Sequence, residues 1–232
     1  MKTKAKSKFE DMIELAKSRK EMYYFLTVVF TYQTLKEISR MVKDKSILAS
    51  LPSEGEGFKL LRAYVEKASK QKVESTQDEL EIEHTGLFVL PNKKFRPYES
   101  AYITVDDGLK LMGGPITKEV EKVYKGVGVE FTSALDETAD YIGIEFEFLH
   151  LLCAKEEEAW SKGEGEDGLK ILLLEREFLQ GHVARWVFDF CDDLYKKAKL
   201  DFFKAISIIT KEYVDLEKSE INEIIAKAEK AG

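Results

Sequence analysis

The chain contains no proline between residue 116 and its end at residue 232, and this absence constrains the fold more than any other feature. Proline breaks helix interiors because it lacks an amide N–H and clashes with the preceding turn. Half of the chain is therefore free to form long helices. Apolar residues also recur at three- and four-residue spacings, with little strict alternation. The sequence predicts an all-α protein.

The apolar periodicity predicts a helix in each of nine segments. These are residues 7–31, 33–44, 58–73, 76–88, 116–126, 137–160, 167–192, 197–213 and 218–230. Pro115 suits the first turn of the helix that follows it. Ser18 with Glu21, and Thr76 with Glu79, match the capping-box pattern and predict helix starts. The glycine-rich residues 162–168 predict a solvated loop.

Residues 90–114 differ from the rest because they hold Pro91, Pro97 and paired glycines. They predict a long connection, and connections of this length in a compact domain are often functional. We expect a single domain over residues 1–232, built as an irregular, orthogonal helical bundle. Its amino-terminal half covers about residues 1–90 and its carboxyl-terminal half about 115–232, with the connection as a hinge between them.

The composition excludes several classes of function. The formal net charge is −7 and no basic face with interleaved aromatics occurs, so we expect no nucleic-acid partner. The longest apolar-rich stretch, Met22–Tyr32, is too short to span a membrane. The start lacks the layout of a secretory signal, so we expect a cytoplasmic protein. Cys153 and Cys191 have no CxxC partner, which favours two buried free thiols over a disulfide and argues against zinc.

The segment 137–160 predicts a helix that is apolar on more than one side. Ile142, Phe146, Leu149 and Cys153 form one apolar stripe, and Ile144, Phe148 and Leu151 form another. Asp140, Gly143, Glu147 and His150 nevertheless form one polar line along it. Buried charges are costly unless paired, so this line faces a groove, a partner or water. The alternative is a solvent strip or an internal salt-bridge network.

The Glu-x-x-His pattern occurs twice, at Glu81 with His84 and at Glu147 with His150. Two such motifs are the signature of di-iron bundle enzymes, if two further helices each supply a glutamate. The segment around His84 contains Gly86 and leads into the proline-containing connection, which is a poor setting for a rigid ligand helix. A di-iron carboxylate enzyme is therefore the alternative hypothesis. No GxSxG or Walker-type motif points to other catalysis.

Three segments in the middle of the chain have the order and spacing of a known family. They are His84-Thr-Gly-Leu87-Phe88 followed by residues 96–100 (RPYES), Tyr124-x-x-x-Gly128 followed by residues 140–149 (DYIGIEFEFL), and Phe178-Leu179-x-x-His182-x-x-x-Trp186. Together they cover roughly residues 84–190 and resemble the TorD/DmsD/NarJ family of redox-enzyme maturation proteins. The chain departs from the family at Tyr141, where relatives have histidine, and at His84, where they have tyrosine or tryptophan. Both positions are implicated in leader binding in relatives, so peptide choice is expected to differ, and any role of the family histidine does not transfer.

The resemblance implies a TorD-like helical fold, no catalytic turnover and no cofactor. It implies a chaperone that binds the twin-arginine leader of a molybdopterin oxidoreductase subunit precursor, as a monomer or a domain-swapped dimer. The leader has two cations followed by an apolar run, which requires an apolar groove with acids at one end. In this hypothesis Asp140, Glu147 and Glu99 face the arginines. The full set of expected peptide-binding residues is His84, Leu87, Phe88, Pro97, Tyr98, Glu99, Ser100, Tyr124, Asp140, Tyr141 and Glu147.

For each of these residues the alternative is ordinary packing. Phe88, Phe146 and Trp186 fit a hydrophobic core at least as well as a peptide contact. His182 fits a core or capping histidine with its hydrogen bonds satisfied.

Overall fold

The computed structural model describes residues 8–49, 51, 54–89, 95–104, 113–129 and 137–231. Within these ranges every regular element is a helix, and the one β-type pairing is an isolated bridge between Tyr98 and Tyr141. The predicted all-α class is confirmed. The helices are α1 (Glu10–Phe30), α2 (Leu35–Lys43), α3 (Glu56–Ala68), α4 (Val73–His84), α5 (Glu99–Tyr102), α6 (Pro115–Gly126), α7 (Ile142–Lys162), α8 (Gly165–Phe178), α9 (Ala184–Lys197) and α10 (Asp201–Ala231).

The centre of the fold is formed by α1, α7, α8 and α10. Helix α1 lies along α7, α7 packs on α8, and α8 packs on α10, while α3 and α9 cover α10 from outside. The inner face of α1 shows why, because its buried residues follow each other at spacings of four and three. They are Met12, Ala16, Arg19, Tyr23, Leu26 and Phe30. One continuous hydrophobic core results, and it draws on residues from both halves of the chain.

Several predicted boundaries are wrong. The segments 197–213 and 218–230 form the single helix α10 rather than two. The predicted helix 167–192 is divided by a π-helical turn at Leu179–Val183, and a second π-turn, Thr85–Val89, follows α4. The short helix α5 was not predicted. Both capping boxes are wrong, because Ser18 lies inside α1 and Thr76 inside α4.

The predicted loop over residues 162–168 is too long, because only residues 163 and 164 lie between α7 and α8. Two further expectations hold. Pro115 is the first residue of α6, and Cys153 and Cys191 are buried free thiols. Across the described ranges, no helix is both long and apolar enough to cross a membrane. Of the expected connection, residues 90–94 and 105–112 lie outside the described residues. The hinge and the division into halves stay predictions.

Gly57 lies where α3 crosses α10 without room for a side chain. A Cβ atom there would lie 2.7 Å from Ile209 Cγ1 and 2.8 Å from the Ile209 backbone nitrogen. We expect Gly57→Ala to lower the free energy of unfolding by about 1–3 kcal/mol, because backbone atoms must shift. Urea denaturation followed by circular dichroism measures this. Gly126→Ala is the control, since nothing lies within 4 Å of its Cβ position, and an equal loss in both variants would contradict the prediction.

Candidate functional site

Two segments that are about forty residues apart in the sequence meet beside the start of α7. The Ile142 amide donates to the Pro97 carbonyl at 2.9 Å, and the Glu99 amide donates to the Asp140 carbonyl at 3.0 Å. These bonds flank the Tyr98–Tyr141 bridge, where the two rings lie 5.5 Å apart. The motif residues 96–100 and 140–142 are thus brought together. Residues 137–141 are outside α7, which is why that helix begins five residues later than predicted.

Asp140 organises this junction from a fully buried position. Its carboxylate accepts hydrogen bonds from the Ser100 amide at 3.0 Å, from Thr117 Oγ1 at 3.0 Å and from Thr138 Oγ1 at 2.7 Å. It therefore ties α5 to α6. The interpretation that Asp140 faces a groove is wrong for this structure, because internal donors already satisfy both carboxylate oxygens. A contact between Asp140 and a peptide stays a prediction.

An aromatic corner forms where α1 ends. The Phe30 carbonyl accepts a hydrogen bond from the Tyr141 hydroxyl and lies 3.3 Å from His84 Nε2. The His84 ring packs on Phe88 with 4.6 Å between centroids. Burial lowers the pKa of His84 to about 4, so the imidazole is neutral at physiological pH.

A small cavity of about 40 Å³ opens beside this corner, lined by Tyr32, His84, Phe88, Val89 and Tyr141 among others. The side chains of Tyr32 and Val89 are 43% and 60% exposed, so the corner presents apolar surface to solvent. On the other side of the π-turn at Thr85–Val89, a groove of about 350 Å³ is lined by Leu87, Ile82 and Leu200, among others. Four of the expected residues, His84, Leu87, Phe88 and Tyr141, therefore line these two openings, although their own side chains are largely buried.

Tyr124 and Glu147 have other roles. Tyr124 is buried, donates to the Ala139 carbonyl at 3.0 Å and stacks on Phe148 with 4.4 Å between centroids, so it belongs to the core. Glu147 is exposed on α7, away from the Asp140 junction by almost two helical turns. The predicted polar line is therefore not a uniform surface, because Asp140 and Gly143 are buried while Glu147 is exposed.

The di-iron alternative is wrong for the residues on which it was based. His84 Nε2 lies against the Phe30 carbonyl, whereas His150 Nδ1 lies 3.0 Å from the Lys20 carbonyl. Lys20 and Phe30 are ten residues apart on α1, which separates the two histidines by about 15 Å along the helix axis. Neither pair belongs to a group of described residues spaced as metal ligands. Two irons cannot be shared over that distance.

Two buried glutamates form a second polar cluster behind α5. Glu99 and Glu145 are fully buried and lie near each other. Burial, and next the charge of Glu99, raise the pKa of Glu145 well above its usual range. Trp186 Nε1 donates to Glu145 Oε2 at 3.0 Å. Glu99 accepts from His182 Nδ1 at 2.9 Å and lies 3.5 Å from Arg185 Nη1.

An open pocket of about 500 Å³ lies between α6 and α8, next to this cluster. Its apolar wall is formed by Val123, Val127, Leu174 and Phe178, and its rim carries Glu119, Lys122 and Glu177. His182 lines the pocket and also bonds Glu99, so it joins the pocket to the buried glutamates. The sequence predicted neither this pocket nor the contact of His182 with Glu99, although His182 and Glu99 both lie in the family-like segments.

A third polar cluster, also missed from the sequence, crosses the four central helices. Arg19 contacts Glu156 at 3.0 Å, Glu175 at 2.6 Å and Glu217 at 2.8 Å, and all four side chains are buried. Cys153, Glu156 and Glu175 are spaced as metal ligands. The Arg19 guanidinium already supplies the cation of this group, so the cluster has the arrangement of an internal ion network.

Comparison with known proteins agrees with the earlier resemblance. The model of the family described as "Nitrate reductase delta subunit" matches residues 51–192, which is more than half of the chain. The chain belongs to this family. The match includes the bridged segments, both π-turns and the Glu99–His182 cluster. The resemblance to TorD/DmsD/NarJ proteins is confirmed.

A curated relative supports the same family. "Chaperone protein TorD" of Vibrio parahaemolyticus serotype O3:K6 (strain RIMD 2210633) is 24% identical over 195 residues, which cover 82% of this chain and 87% of the relative. The likeness therefore extends over most of both proteins, and over more of this chain than the family match does.

Proposed function

We propose that this member of the nitrate reductase delta subunit family is a non-catalytic chaperone for the precursor of a molybdopterin-containing oxidoreductase subunit. It binds the twin-arginine leader or amino terminus of that precursor in the cytoplasm, before export or assembly. The observation that carries the proposal is the family match over residues 51–192, together with a chaperone as a relative over most of the chain.

The apolar openings around the π-turn after α4 support this proposal. Exposed Ile82, Tyr32 and Val89, with Leu87 and Phe88 behind them, offer sites for the apolar run of a leader. Exposed apolar surface grouped in this way is typical of protein or peptide binding. The bridged segments 95–102 and 137–142 hold the corner in place, so we propose that His84, Leu87, Phe88 and Tyr141 contact the peptide directly.

Binding of a synthetic twin-arginine leader tests the proposal. We expect a dissociation constant of about 1 μM or lower by titration calorimetry, and a weaker affinity at higher salt, because cationic arginines meet a chain of net charge −7. A peptide of the same composition in scrambled order is the control. Equal affinity for both peptides, or no binding, would contradict a leader-specific chaperone. Mass spectrometry of precursors captured from the native cell then identifies the client.

A further inference from the structure

We infer that Arg185 occupies, in the free protein, the subsite that takes an arginine of the client leader. This inference rests on the proposed function and names a guanidinium subsite within it. The acceptor is the carboxylate of Glu99, and the adjoining pocket between α6 and α8 takes the apolar side chain that follows the arginine.

The contacts of Glu99 are unequal, and this inequality is the first support. His182 Nδ1 lies at 2.9 Å, a normal hydrogen-bond distance, whereas Arg185 Nη1 lies at 3.5 Å, the outer limit for such a bond. The same Arg185 nitrogen donates to the Gly181 carbonyl at 3.1 Å. Glu99 therefore has one firm partner and one loose partner.

The exposure of Arg185 is the second support. Its side chain is 41% exposed, whereas that of Glu99 is completely buried. Arg185 is thus a surface cation that covers a buried carboxylate from the solvent side. The long distance of 3.5 Å leaves room for a closer contact, so an incoming guanidinium that reaches Glu99 at a normal hydrogen-bond distance can replace Arg185. Glu99 would then be paired throughout the exchange.

The geometry of the Arg185 contact is the third support. Arg185 reaches Glu99 with the single nitrogen Nη1, at 3.5 Å from Oε1. A bidentate guanidinium bonds a carboxylate with two parallel N–H groups, which Arg185 does not do here.

The neighbouring pocket fits the rest of the ligand. Val123, Leu174 and Phe178 provide an apolar wall, and His182 forms the boundary between this wall and Glu99. A segment with an arginine next to an apolar residue could place its guanidinium on Glu99 and its apolar side chain in the pocket. A twin-arginine leader has this sequence of charges and apolar residues.

Two variants and two peptides test the inference by calorimetry. The peptides are a twin-arginine leader and the same leader with both arginines replaced by glutamine. We expect Arg185→Gln to bind the arginine peptide about two to five times more tightly, because the competing contact is gone, and to bind the glutamine peptide unchanged. Lys170→Gln removes the same charge from an exposed ion pair with Asp167 and should leave both affinities unchanged.

Glu99→Gln should abolish the preference of the protein for the arginine peptide, at unchanged helix content. Arg185 is on the surface, so the comparison of Arg185→Gln with Lys170→Gln decides the matter even if Glu99→Gln does not fold. The inference would be overturned if Arg185→Gln and Lys170→Gln changed the affinity for the arginine peptide equally, or if Arg185→Gln bound that peptide more weakly. Neither result would contradict leader binding itself. Failure of both peptides to bind the unchanged protein would refute the proposed function and the inference with it.

Discussion

Replacement of Arg19 with leucine is expected to lower the free energy of unfolding by about 3–5 kcal/mol. The side chain is 5% exposed and contacts three buried carboxylates, those of Glu156, Glu175 and Glu217. Without the guanidinium these carboxylates have no cation, and each must take up a proton or stay charged in an apolar core. The loss of a partner inside a buried ion network is among the most destabilising single changes known.

Lys17→Leu is the matched control for this prediction. Lys17 lies two residues earlier on α1 and is exposed, so its replacement should change the free energy of unfolding by no more than about 0.5 kcal/mol. Both variants can be measured by urea denaturation at pH 7. If the two losses are alike, the Arg19 network does not contribute to stability as its geometry indicates.

The second large effect is on the pH dependence of stability. Burial, and next the charge of Glu175, raise the pKa of Glu156 from 4.5 to about 8. Both carboxyls are buried and both contact the Arg19 guanidinium, so one cation faces two acidic groups. The folded protein therefore holds a proton that the unfolded chain releases, and its free energy of unfolding falls as the pH rises toward 8.

The clearest window lies between pH 6.5 and 8. Below pH 6.5, His84 has the opposite effect. Its pKa is lowered from 6.5 to about 4 on folding, so the unfolded chain takes up a proton first and the free energy of unfolding decreases as the pH is lowered. Above pH 6.5 the His84 effect is no longer present. Of the two effects, only that of the Glu156–Glu175 pair then changes the free energy of unfolding, which decreases as the pH rises. The decrease amounts to about 2 kcal/mol across the window, at about 1.4 kcal/mol per pH unit.

Glu175→Gln isolates this effect, because it removes the neighbouring charge that raises the pKa of Glu156. Urea denaturation at intervals from pH 6 to 9 should show a steep fall for the unchanged protein and a shallower one for the variant. Glu145, whose pKa is also raised by burial, contributes to both curves alike. Identical slopes would show that the pair does not hold the proton.

Part of the Arg19 network could have been predicted from the sequence, because two of its glutamates are in register with apolar residues. The apolar stripe Ile142, Phe146, Leu149 and Cys153 continues with the same spacing to Glu156 and Trp160, and all six are buried. On α10, Glu217 lies at the same spacing between the buried residues Val214 and Ile221. A charged residue in register with an apolar stripe is therefore a signal for a buried ion network.

Helix α10 runs without interruption through residues 214–217, between the two helices that the sequence predicted, and these residues include Asp215 and Glu217. Glu217 is buried against Arg19 and Tyr23. Only a partner from a distant part of the chain makes such a position compatible with the core, and helix periodicity does not encode that partner.

The candidate site was predicted in part. Motif order singled out residues 96–100 and 140–142, which the structure joins by backbone hydrogen bonds. Which of their side chains are accessible was not predictable, because Asp140 is buried against Ser100 and Thr117, and Glu99 against His182. Both π-turns lie within family-like segments, and such turns are frequent at functional sites. Their extra residue per turn cannot be recognised in a pattern that assumes regular helices.

The packing of α1 along α7, and of α3 along α10, has a kinetic consequence. Helices from the amino-terminal half of the chain pack against helices from its carboxyl-terminal half, so their separation would expose a large part of the apolar core. Exchange of halves between two copies would then require nearly complete unfolding, with a barrier close to that of the whole molecule. A swapped pair, once assembled, should survive gel filtration and dilution for hours without reverting to single chains.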